Sequence, residues 1–109
     1  MSPKEYLKIV HQAVCERFGA TETEFFTISR KKHLVYMRQL FCFMAYKKLK
    51  EDSDSRVSEI NEYITEYRGK RYDRTAVFGN FKKIENHSKI YRDVQADIHD
   101  LTRRIQCKL

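Results

Sequence analysis

The stretch VSEINEYITEYRGKRYDRTAVFGNFKKIENH, residues 57–87, decides the fold class. Val57, Ile60 and Ile64 recur at the spacing that lines one side of a helix, which predicts a helix around Val57–Tyr67. Arg68-Gly69-Lys70-Arg71-Tyr72 breaks the pattern. Asp73, a residue type that favours helix starts, then opens a second helix from Arg74 to about His87, with Val77, Phe81 and Ile84 inward. Two helices joined by a glycine-containing turn, the second studded with bases, have the outline of a helix-turn-helix. In that geometry the head of the second helix enters a major groove. Arg74 then grips guanine, Thr75 touches a thymine methyl and Asp73 accepts from cytosine N4, while Asn80, Lys82 and Lys83 reach phosphates. The plainer reading is that Asp73 only caps the helix and the bases form a solvated face.

Helical signals continue on both sides. Ser2-Pro3-Lys4-Glu5 is a capping box with proline at the first helical position. Leu7, Val10, Val14 and Phe18 follow in helical phase, and Gly19 supplies the stop. Thr21-Glu22-Thr23-Glu24 repeats the capping pattern and predicts a short helix through Phe25 and Phe26. Ile28 to His33 shows no apolar period and reads as a basic loop. A long helix is expected from Leu34 to Lys50, with Met37, Leu40, Phe41, Met44, Ala45 and Leu49 inward. Asp52 to Ser55 forms a turn and cap. A last helix, near Lys89–Cys107, carries Tyr91, Val94, Ile98, Leu101 and Ile105. With three glycines, one proline and no strand-like alternation, the chain is expected to be all-α. The architecture is a compact bundle of five to six helices containing the helix-turn-helix, one domain over residues 1–109.

Charge is sorted along the chain. Thr27 to Lys50 holds seven lysines and arginines and no acid, and Arg68 to Lys83 holds six bases against Asp73 alone. Glu51 to Tyr67, between them, holds six acids and one base. A net charge of +7 with 41% hydrophobic residues describes a foldable basic domain suited to an extended anion. No window resembles a membrane span, and Met-Ser-Pro-Lys-Glu does not resemble a signal peptide. Cys15, Cys42 and Cys107 form no Cys-x-x-Cys pair and read as reduced thiols, so a cytoplasmic protein is expected. His11 and Cys15 stand four apart, but two ligands do not make a structural metal site. Tyr72 among Arg71, Arg74 and His87 is the one imaginable nucleophile, with packing the plainer role. Neither catalysis nor a cofactor is expected. A membrane surface is a weaker match for the charge, because the long helix has the apolar bulk of a core element.

The order of pieces resembles the C-terminal DNA-binding domain of DnaA, the bacterial chromosomal replication initiator. The matching stretches are Val14-Cys15-Glu16-Arg17-Phe18-Gly19, Ser29-Arg30-Lys31-Lys32 and Arg38-Gln39 at the start of an apolar helix. They continue with Val57-Ser58-Glu59-Ile60, Tyr72-Asp73-Arg74-Thr75-Ala76-Val77 and Lys83-Ile84-Glu85, so that about residues 8–105 are covered. The resemblance implies binding to a short asymmetric duplex box at a replication origin. It assigns Arg30 to the minor groove, Arg38 and Gln39 to the backbone, and Asp73, Arg74 and Thr75 to base edges. Departures are specific: arginine replaces histidine at Arg74, alanine replaces threonine at Ala76, Met37 stands for a proline and Tyr46 for a base. The connection from Ile60 to Asp73 is also about five residues longer than the family pattern. No Gly-x-x-x-x-Gly-Lys-Ser/Thr loop occurs, so the initiator's ATP chemistry is not expected here.

The expected interface is therefore Arg30, Lys31, Lys32, Arg38, Gln39, Arg71, Asp73, Arg74, Thr75, Lys82 and Lys83, facing double-stranded DNA, with replication proteins as further partners. The reading of another class is a protein-interaction module. It would dock through the acidic helix or through Tyr36, Tyr46, Tyr63 and Tyr67, without base readout. Structured RNA is a third partner compatible with the charge, although the helix-turn-helix outline favours an open major groove.

Overall fold

The computed structural model describes residues 2–21, 24–26, 31–51 and 57–109, the side chains of 25, 49–51 and 57 excepted. Among these are five α-helices and no strand: α1 (Pro3–Phe18), α2 (Lys32–Glu51), α3 (Val57–Arg68), α4 (Arg74–Ser88) and α5 (Arg92–Lys108). The expected loop residues Ile28, Ser29 and Arg30, the turn at Asp52–Ser55 and the inward side chains of Leu49 and Val57 lie outside the described set.

Local chemistry sets the helix ends. Ser2 Oγ accepts the Glu5 N–H at 3.3 Å, and Glu5 Oε2 accepts the Ser2 N–H at 3.3 Å, closing the capping box. Gly19 takes φ 67°, a left-handed turn that a side chain would oppose, and its N–H caps Cys15 O. The second capping pattern produces only a 3₁₀ turn, Glu24–Phe26, in which the Glu24 carboxylate accepts the Thr21 N–H at 3.2 Å. Helix α2 starts at Lys32, two residues before the predicted Leu34. The two added residues, Lys32 and His33, are polar and exposed, so hydrophobic periodicity cannot register them.

The core gathers around α2, which touches all four other helices and packs most extensively on α4. Cys42 and Phe43 are therefore buried along with the expected Met37, Leu40, Phe41, Met44 and Ala45. Phe26, Phe41, Tyr63 and Tyr67 form an aromatic cluster with ring centroids 5.0–6.1 Å apart. Each fully buried side chain of this size contributes about 1.5–3 kcal/mol. His11 sits within the cluster, and its Nδ1 shares a 2.8 Å hydrogen bond with the Tyr63 hydroxyl. The Cys15 thiol donates to Thr21 O at 3.5 Å, so the two residues weighed as metal ligands are engaged separately.

Helix α5 buries Val94, Leu101 and Ile105 and half-buries Ile98. Tyr91, expected inward, is 51% exposed. It is the N-cap residue with extended backbone, so it falls outside the helical phase that the apolar spacing assumed. A polar seam fixes α5 to its neighbours. Arg17 reaches Asp97 at 3.0 Å and Asp100 at 3.3 Å, Lys108 reaches Glu16 at 2.6 Å, and the Tyr36 hydroxyl donates to Asp97 at 2.5 Å. The Arg104 guanidinium, 2.6 Å from Asp100, holds that carboxyl below its usual range. Among the described residues no helix is long and apolar enough to cross a membrane.

Candidate nucleic-acid interface

Residues 69–73 connect α3 to α4, and three side chains pin them. Gly69 adopts φ 72°, and its N–H donates to Thr65 O at 2.8 Å, ending α3. The Thr65 hydroxyl donates to Asn61 O at 2.7 Å and accepts the Tyr72 N–H at 3.0 Å, so it reaches across the turn. From α4, the Asn80 amide donates to the Tyr72 hydroxyl at 2.6 Å and lies 3.6 Å from Cys42 Sγ on α2. Tyr72 thus joins the connection to α2, α3 and α4. Burial pushes its phenol up to about 12, further raised by Cys42, against lowering contributions from Asn80, Arg38 and Arg68. The phenol is held in packing between helices. Asn80, expected at a phosphate, spends its amide inside this network.

One guanidinium group stacks on Tyr72, and a second stands on α2 where the phenol influences its ionisation. Arg68, the last residue of α3, stacks over the Tyr72 ring at 5.3 Å from its centroid, and its Nε is buried with no hydrogen-bond partner. Arg38 lies one turn before Cys42 on α2 and is half-buried. Burial lowers its pKa, and Arg68 lowers it further against the raising influence of Tyr72 and Cys42.

Immediately beyond stands the head of α4. Asp73 occupies the N-cap with φ −81° and ψ 149°, but its side chain makes no cap hydrogen bond. Its carboxylate instead faces Arg71 Nε at 3.3 Å, with both side chains largely exposed. Arg74 and Thr75 are exposed as well. Val77, Phe81 and Ile84 turn into the core, where Phe81 stacks on Phe43 at 5.3 Å. Thr75, Gly79, Lys82, Lys83 and Asn86 turn outward. Lys82 pairs with Glu85 at 3.5 Å and sits 5.6 Å over the Phe78 ring.

Of the expected interface, Asp73, Arg74, Thr75, Lys82 and Lys83 lie on the outer side of α4 or at its head, Arg71 precedes them in the turn, and Arg38 joins through Tyr72. Lys31 and Lys32 are exposed at the head of α2, and Arg30 lies outside the described residues. Gln39 is only 8% exposed, so it offers little surface to a backbone. Two residues were missed. Arg68 looked like one base among many, since nothing in its spacing announces a ring beneath it. Phe78, 46% exposed on α4, carries a legible signal: it stands off the Val77–Phe81–Ile84 stripe. The aromatic set considered for protein docking is packed inward, with Tyr63 buried and Tyr36, Tyr46 and Tyr67 resting half-buried on the core. No protein-family model matches the chain, and no curated protein sequence is significantly similar to it.

Proposed function

We propose that the protein binds double-stranded DNA with sequence preference, using α3, the turn and α4 as a helix-turn-helix and the basic sequence at Arg30 as its contact to the minor groove. One observation carries the reading. Asp73, Arg74 and Thr75 stand exposed at the head of α4, the Asp73 carboxylate is not spent on capping, and Arg68 stacks over Tyr72 in the turn beside them. Base-reading chemistry at a helix start next to phosphate-seeking guanidinium groups is the pairing that specific duplex recognition requires. Arg74 serves guanine, Thr75 a thymine methyl, and Asp73 a cytosine amine. Arg38 and Arg68 hold backbone phosphate, and Lys31, Lys32, Lys82 and Lys83 add sequence-independent attraction.

The resemblance to the DnaA domain extends the proposal to box recognition at a replication origin in the cytoplasm, among replication proteins. A second domain, or competition for initiator boxes, would then supply any regulation. The function is binding without turnover, and it calls for no cofactor. Selection of bound sites from a random duplex library tests it. Enrichment of a short asymmetric box supports the reading; retention of no duplex even at about 50 mM salt refutes it.

A further inference from the structure

Gly79 is a glycine that no contact among the described residues requires. It lies in the interior of α4, and its φ is not positive, unlike those of Gly19 and Gly69. Among the described residues a Cβ placed on it meets nothing within 4 Å, so none of their side chains or backbone demands its small size. Glycine in an exposed helix interior is less favourable than alanine, because more backbone freedom is lost on folding. That cost is met by no contact among the described residues. The residue faces outward, one turn after Thr75 and one turn before Lys82 and Lys83.

We propose that Gly79 is where the α4 backbone comes nearest to the duplex. The inference rests on the DNA-binding reading above and adds a residue to it. The bare Cα surface admits a base edge or phosphate oxygen against the helix, with the Thr75 hydroxyl on one side and the two ammonium groups on the other. A methyl group there would hold the partner off by roughly one carbon–carbon bond, about 1.5 Å, and loosen the neighbouring contacts together.

The test compares the wild-type chain with Gly79→Ala and Gly79→Leu, by thermal melting and by anisotropy on the duplex selected from the library. Gly79→Ala should melt roughly 2–6 °C higher while binding about tenfold more weakly or worse. Gly79→Leu should bind more weakly still. Tight binding by a wild-type chain and an equally tight Gly79→Ala variant would overturn the inference and leave the DNA-binding reading standing. A lower melting temperature for Gly79→Ala would also overturn it, by showing that the fold itself needs the glycine. If the wild-type chain retains no duplex, the functional reading fails and this inference fails with it.

Discussion

Lys83→Ala and Arg74→Ala should weaken DNA binding in two distinguishable ways. The described bases available to phosphates are Arg38, Arg68, Lys70, Arg71, Lys82 and Lys83, with Lys31 and Lys32 at the head of α2. Arg71 and Lys82 stand beside Asp73 and Glu85 at 3.3 and 3.5 Å, so the count runs from all eight down to the six left when those two stay on their acids. Six to eight phosphate contacts give a log–log salt slope of about −5 to −7, at about 0.9 per contact. Between about 50 and 200 mM salt, affinity should then fall roughly 10³–10⁴-fold. Lys83→Ala should flatten the slope by about 0.9 and cost the same factor on every duplex. Arg74→Ala should cost about 1–3 kcal/mol on the selected box and little on a scrambled one. Anisotropy titrations of both variants against both duplexes, at several salt concentrations, measure all of this. A wild-type slope shallower than about −2, or equal losses by both variants on both duplexes, would refute the reasoning.

Three further outcomes concern the framework. Tyr72→Phe removes the acceptor that Asn80 holds at 2.6 Å and should cost about 1 kcal/mol, seen as a melting temperature roughly 4–8 °C lower; an unchanged temperature would mean the turn is held elsewhere. Burial pushes Cys42 and Tyr72 up to about 12 from ordinary values of 9.0 and 10.0. The folded state therefore keeps protons that the unfolded chain releases, and stability should be full below about pH 9 and decline as pH rises towards 12. Urea midpoints should fall across that window, with Cys42→Ala flattening the first part; a constant midpoint would contradict the assignment. Cys107 is exposed, whereas Cys15 and Cys42 are buried. A thiol reagent at neutral pH should titrate one cysteine quickly in the native protein and three in denaturant, and rapid reaction of all three would reveal a core that opens easily.

How much was legible depended on whether the deciding physics was local. Capping at Ser2, the left-handed stop at Gly19 and the Val77–Phe81–Ile84 stripe are set within a few residues, and they appear where spacing predicts them. The head of α2 at Lys32 and the outward Tyr91 were not legible, because two solvated polar residues and a non-helical N-cap leave no mark on apolar periodicity. At the site, the exposure of Arg74 and Thr75 followed from their place at a helix start. Arg68 over Tyr72, and Asn80 drawn inward by that same phenol, are products of three helices meeting, which no window of the chain contains.

The hydroxyl of Thr65 has a mechanical consequence. By gripping both its own helix and the Tyr72 amide, it turns the connection between α3 and α4 into a brace. The head of α4 then rides with α2 and α3 as one piece, so docking onto a ligand has little loop motion left to freeze out. Losing that hydroxyl would leave every exposed base in place, yet unfasten the angle at which they are offered.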